Sequence, residues 1–219
     1  MKKIIIVKDY KHLKRLVYKV KVDADLNHLD VSNVEDMSYL FRSSLFNGNI
    51  SKWNVSKVRK MTGMFDNSQF NGDISNWKTG KVIDMSFMFS GSQFNNDISK
   101  WDIRNVVKIF QMFSDSQFND DISNWKPYNA NSMFFMFKSS IFNGDISNWN
   151  VSSVTDMTGL FRDSKFTGNI CKWKLNSKVD KDGMDYDWGN CAKLKKNKLK
   201  KQLGSFIDLM DISALTKDD

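Results

Sequence analysis

The sequence predicts an α/β repeat solenoid, a stack of short strand–turn–helix coils with a cap at each end. Three observations lead there. Trp53, Trp77, Trp101, Trp125, Trp149 and Trp173 recur every 24 residues without an insertion or deletion, and Leu29 holds the same column one period earlier. Other apolar columns keep the same step, and each copy carries an Asn-Gly-Asp-like turn at the same place. Fixed periods of 20 to 50 residues mean that each unit is one supersecondary element whose apolar side its neighbours cover.

Residues 1–28 form the expected N-terminal cap, since a stack without caps exposes its core at both ends. Ile4 to Val7 reads as a strand, and Tyr10, Leu13, Leu16 and Val17 have helical spacing. Residues 29–179 hold six repeats. One apolar column is Phe46, Phe70, Phe94, Phe118, Phe142, Phe166, a second is Ile50, Ile74, Ile98, Ile122, Ile146, Ile170, and a third is Phe41, Phe65, Phe89, Phe113, Phe137, Phe161. Methionine dominates two more, through Met61, Met85, Met133 and Met64, Met88, Met112.

Within one copy, Trp53 and Val55 alternate across Asn54, which predicts a brief strand. Val58, Met61 and Phe65 at i, i+3 and i+7 predict a short helix or helical turns after it. Asn71, Gly72 and Asp73 then form a turn, because Gly tolerates positive φ and Asn or Asp bonds its own backbone. The serine column (Ser44, Ser68, Ser92, Ser116, Ser140, Ser164) is read as a corner whose hydroxyl bonds backbone groups left unpaired by the tight coil. Residues 180–219 form the expected C-terminal cap, with Ala192 to Leu203 as a basic amphipathic helix stopped by Gly204 and a second stripe at Phe206, Leu209 and Met210.

The 219 residues include 41% hydrophobic and 13% aromatic side chains, enough for a sizeable core, with a net charge of +8. Residues 1–28 contribute +5 and residues 172–219 contribute +3, while 29–171 carry 14 charges of each sign. The apolar run near the start is four residues long, too short for a signal-peptide core, and no 18-residue apolar segment exists. A cytoplasmic setting without a membrane is the expectation, and with it two reduced thiols at Cys171 and Cys191.

No constellation suggests catalysis. His12 and His28 stand in the N-terminal flank without a nucleophile at a recognisable spacing, and Cys171 replaces the serine of its column as a packing variant. Neither zinc spacing nor a nucleotide loop is present, so no enzyme and no cofactor are expected. The column Asn49, Asp73, Asp97, Asp121, Asp145, Asn169 would stack carboxylates that a cation such as calcium could bridge. Asn at both ends instead suits an Asx-type cap at each turn, and no metal is expected.

The string Phe-Asn-Gly-Asp-Ile-Ser-x-Trp-x-Val-Ser-x-Val-x-x-Met-x-x-Met-Phe resembles the BspA-like leucine-rich-repeat unit, also described as the mycoplasma-type lipoprotein repeat, over about residues 29–175. The resemblance implies a right-handed solenoid that presents variable residues on a fixed frame. It carries over no catalytic residues. Many relatives of this kind are surface proteins implicated in adhesion, and others are cytosolic or phage-encoded.

Function is therefore sought where the copies differ. The column Tyr39, Gly63, Phe87, Gln111, Phe135, Gly159 lies off the buried stripe yet places an aromatic in alternate copies. With Phe110, Phe134 and Tyr128, the aromatics Tyr39, Phe87 and Phe135 are the candidate anchors for a protein partner. The expected role is an intracellular adaptor or inhibitor, for which a phage is one source. A second reading is nucleic-acid binding by the basic caps, chiefly Lys193, Lys195, Lys196, Lys198, Lys200 and Lys201. A third is a surface adhesin.

Overall fold

The structure is a computed structural model that describes residues 3–187 together with Gly189 and Cys191. It opens with strand β1 (Ile5–Ile6), helix α1 (Tyr10–Val17) and strand β2 (Leu29–Asp30), and ends in a 3-10 turn at Asp182–Met184. β1 lies parallel to β2, with Ile5 opposite Leu29 and Ile6 opposite Asp30. α1 forms because Asp9 caps it, accepting from the His12 amide at 2.8 Å, and because Leu13 and Val17 share one buried face. Lys14 and Arg15 stand in its last turn, where cations suit the exposed carbonyls.

Beyond β2 the chain is held by single parallel bridges that recur at 24-residue steps, Asp36 to Lys60, Asp84, Lys108, Ser132 and Asp156 in succession. Opposite charges face each other at the first three of these steps, which favours this register over its neighbours. Inside the stack the phenylalanines run as two files of near-parallel rings. Centroids are 5.7–6.0 Å apart from Phe41 to Phe161. They are 6.1–6.3 Å apart from Phe46 to Phe166. Each tryptophan of the six is buried, and its Nε1–H donates at 2.9–3.3 Å to the carbonyl 27 residues earlier, as Trp101 does to Ile74. A large apolar ring thus enters the core with its one polar atom satisfied.

The segment expected to be helical is instead a run of tight turns, and the strand expected at Trp53–Val55 makes no bridge. The bridge lies at Lys60, inside the part read as helix. The reason is where the amides go. Met61, Gly63, Phe65 and Asn67 donate to Asp84, Ser86, Met88 and Ser90 of the next copy, while Met64, Asp66 and Ser68 between them donate three residues back. An α-helix would need all of these amides for itself. The alternation requires a left-handed residue at every fourth position, met twice per copy, by Gly63 (φ 55°) and Asn67 (φ 53°) in this one.

The corner serines behave as their column suggests. Each of Ser44, Ser68, Ser92, Ser116, Ser140 and Ser164 accepts, through Oγ, the amide two residues on, at 3.0–3.2 Å. An asparagine file does the same between copies. Asn47 Oδ1 accepts from the Asn71 amide, and the pattern repeats from Asn71 to Asn95, Asn119, Asn143 and finally Thr167.

Bonding between copies crosses both cap boundaries drawn from the sequence. Ile5, Val7, Leu13, Val17 and Leu26 sit 24 residues before Leu29, Val31, Met37, Phe41 and Ile50, and Asp25 bridges to Asn49. The N-terminal flank is therefore a degenerate copy in which α1 stands where later copies have turns. At the other end the amides of Gly159 and Phe161 donate to Gly183 and Met184, so residues past 179 continue the stack. Tyr186 closes it, packing on Phe161 and Phe166 and donating to the Gly168 carbonyl.

Cys171 and Cys191 are joined in a disulfide with Cα atoms 5.3 Å apart, not reduced as expected. Compartment gave the expectation. The path of the chain around the last copy decides the pairing, since it brings the two within bonding reach. The expected helix from Ala192 and the stripe from Phe206 lie outside the described residues.

Candidate functional site

The aromatic column proves to be a column of backbone strain. Tyr39, Gly63, Phe87, Gln111, Phe135 and Gly159 all have φ between 51° and 61°. Glycine adopts this region freely and a residue with a bulky side chain rarely does, so the three aromatic copies and the Gln111 copy hold a costly conformation there. Alternation with glycine has a packing cause. A Cβ on Gly63 would collide with the Tyr39 ring, and one on Gly159 with the Phe135 ring. Each of these rings lies down over the next copy, and only glycine leaves room beneath it.

The six candidate anchors fall into separate groups. Phe87 meets Phe110 edge to face at 5.1 Å, and Phe134 meets Phe135 at 4.1 Å, all four half-buried. Phe135 has Lys138 and Arg162 over its ring at 5.9 and 6.0 Å. Tyr39 is 42% exposed, with the Arg42 guanidinium 5.5 Å from its centroid. Tyr128 is 46% exposed but sits on a different arc, in the electrostatic reach of Arg104. The row is thus aromatic with cationic flanks, an arrangement that suits both apolar burial and an acidic rim on a partner.

One buried carboxylate adjoins this row. Asp66 is ion-paired to Arg42 at 2.9 Å across two copies, and burial pushes its carboxyl up despite the guanidinium. Sequence reasoning passed over this pair because Arg42 and Asp66 occupy one column and look like free variation.

The acidic column closes turns. Oδ1 of Asp73, Asp97, Asp121 and Asp145 accepts from the amide two residues on, and the asparagines Asn49 and Asn169 do the same. Hydrogen bonds from Ser75, Ser99 and Ser147 hold the Asp73, Asp97 and Asp145 carboxyls below the usual range. Carboxyls with lowered pKa stabilise the fold above their unfolded value near 3.8, and that stability is lost as pH falls through the folded value. Asp66 contributes in the opposite sense, because its raised carboxyl favours the fold at low pH. Changing Asp73, Asp97 and Asp145 together to Asn should leave the urea midpoint at pH 7 nearly unchanged and reduce the drop between pH 5 and pH 3. An undiminished drop would place the acid sensitivity elsewhere.

Among the described residues no three of His, Cys, Asp and Glu are grouped to hold a metal, and no helix is long and apolar enough to cross a membrane. The six lysines from Lys193 to Lys201 lie outside the described residues. In the N-terminal cap, Lys11, Lys14 and Arg15 of α1 line a shallow concavity of about 490 Å³ with Asp9 and Tyr18, which flank the helix.

Two overlapping stretches, residues 11–117 and 93–201, each match the family model described as "Mycoplasma protein of unknown function, DUF285". Neither a curated protein nor a solved structure matches.

Proposed function

The chain belongs to this family of Mycoplasma proteins, DUF285, and from that premise we propose that it is a non-catalytic protein-binding module built as a repeat solenoid of the BspA-like leucine-rich-repeat kind. The parallel bridges at 24-residue steps and the continuous files of rings support the solenoid. Binding rests on one observation. Aromatic side chains are kept at left-handed backbone positions where glycine would relieve the strain, and they stand partly exposed beside cations. The stack requires a left-handed residue in two columns, and what marks this one is that three copies fill it with a partly exposed aromatic ring, a residue class poorly suited to that backbone. Phe87, Phe110, Phe134 and Phe135 are the central anchors and Tyr39 an outlying one. Tyr128, on another arc, does not belong to this surface.

The role is that of an adaptor or inhibitor whose activity is occupancy of its partner. The disulfide supports a second reading, a surface protein of the adhesin type, because disulfides persist in oxidising surroundings. One experiment addresses both. Tagged protein and its Phe87→Lys/Phe135→Lys variant are used to capture partners from a lysate of the source cell and, separately, from intact cells bearing the partner. Loss of capture by the variant, with an unchanged circular dichroism spectrum, is expected. Full capture by the folded variant would remove the aromatic row from the interface. Capture from intact cells alone would select the surface reading.

A further inference from the structure

The near-neutral middle of the chain is not neutral in space. Trp53, Val55 and Val58 point inward, so positions 52, 54, 56 and 57 of that copy face out, and the same four positions of the next five copies stack beside them. In the first two of these copies they supply Lys52, Lys57, Lys78 and Lys81, and in the next two Lys100, Arg104 and Lys126. Lys172 and Lys174 complete the strip, and all nine are exposed except Lys126, which is half-buried.

Against these nine cations the same positions hold one acid, Asp102. Arg104 grips that carboxylate with both prongs, Nε to Oδ1 at 2.9 Å and Nη2 to Oδ2 at 2.8 Å, so it offers little repulsion outward. Between the lysines stand amides and hydroxyls, Asn54, Asn76, Asn124, Asn148 and Ser152. Two shallow concavities, about 340 and 280 Å³, open on this arc, one beside Lys172 and Lys174 and the other beside Lys100, Arg104 and Lys126.

We propose that this strip binds the phosphate backbone of duplex nucleic acid, independently of base sequence and of the aromatic row. Lys, Asn and Ser side chains on a firm backbone are the groups that contact phosphodiester oxygens. With copies about 4.8 Å apart, the strip from Lys52 to Lys172 is roughly 24 Å long, about two thirds of a duplex turn. A single strand would call for a series of stacking rings, and the arc offers one, Tyr128. The carboxylates of Asp73, Asp97, Asp121 and Asp145 run along one margin and would repel a polyanion lying across the strip, so the duplex axis runs along the stack.

The test measures fluorescence anisotropy of the full chain with a labelled random-sequence 20-base-pair duplex at several salt concentrations. Single-stranded DNA, a sulfated polysaccharide and anionic phospholipid vesicles are the other ligands. Expected is duplex binding that weakens steeply with salt and a Lys78→Gln/Lys100→Gln/Lys126→Gln variant about tenfold weaker or more, its log–log slope smaller by roughly 0.9 for each phosphate no longer neutralised. Variants Lys11→Gln/Lys14→Gln/Arg15→Gln and Lys195→Gln/Lys196→Gln/Lys198→Gln should stay within about twofold of the parent, because the strip does not include those cations. The proposal is overturned by absence of duplex binding at low salt, by full binding in the strip variant, or by loss only in a cap variant. Preference for the polysaccharide, the single strand or the vesicles over the duplex overturns it as well.

Discussion

Trp101→Ala is expected to lower the free energy of unfolding by about 3–5 kcal/mol, as for other large-to-small changes in a packed core. Trp101 is 3% exposed, stacks on Trp77 at 6.2 Å and packs against Phe89 at 6.1 Å. Alanine would leave a void between two copies that cannot close independently, because each is bonded to the next through its backbone. It would also strand the Ile74 carbonyl, which accepts from Nε1 at 3.1 Å. Trp101→Phe shrinks the void while still losing the hydrogen bond, so it should cost less than alanine, with the stranded carbonyl alone worth about 1–3 kcal/mol. Urea denaturation followed by far-ultraviolet circular dichroism measures both. An alanine variant within about 0.5 kcal/mol of the parent, the range of surface changes, would mean the tryptophan file is not the core.

Gly63→Val is expected to be the next most damaging single change, at roughly 2–5 kcal/mol, the sum of a strain cost and an overpacking cost. A β-branched residue at φ 55° carries about 1–2 kcal/mol of left-handed strain. The new side chain also drives into the Tyr39 ring, an overpacking cost of about 1–3 kcal/mol. The second cost disappears when the ring is removed, so Tyr39→Ala/Gly63→Val should be less destabilised than the sum of its single changes by about the overpacking cost. Additive single changes would show that the ring does not lie over Gly63.

Both predictions rest on features the sequence exposes unequally. The tryptophan file is legible because burial repeats in every copy, and so is the corner serine, whose hydroxyl bonds an amide two residues away. Gly63 and Gly159 hinted at positive φ, but Tyr39, Phe87, Gln111 and Phe135 in the same column concealed it. A strained backbone leaves no mark on a residue that merely tolerates it. The helical reading of Val58 to Phe65 failed for a related reason. Inward-facing residues at i, i+3 and i+7 suit a helix and a chain of tight turns equally, and the difference lies in which carbonyls the amides reach.

The sequence by itself determined the 24-residue period, the identity of the buried columns and the polar residues that close each corner. These follow from apolar burial and from hydrogen bonds spanning a few residues, which are alike in every copy. Only the tertiary structure decided that alternate amides bond to the next copy, that Cys171 meets Cys191, that the flanks belong to the stack and that seven cations of a neutral segment gather on one arc with Lys172 and Lys174. Each depends on which residues, distant in the chain, come to lie side by side, and composition and local spacing do not encode that adjacency.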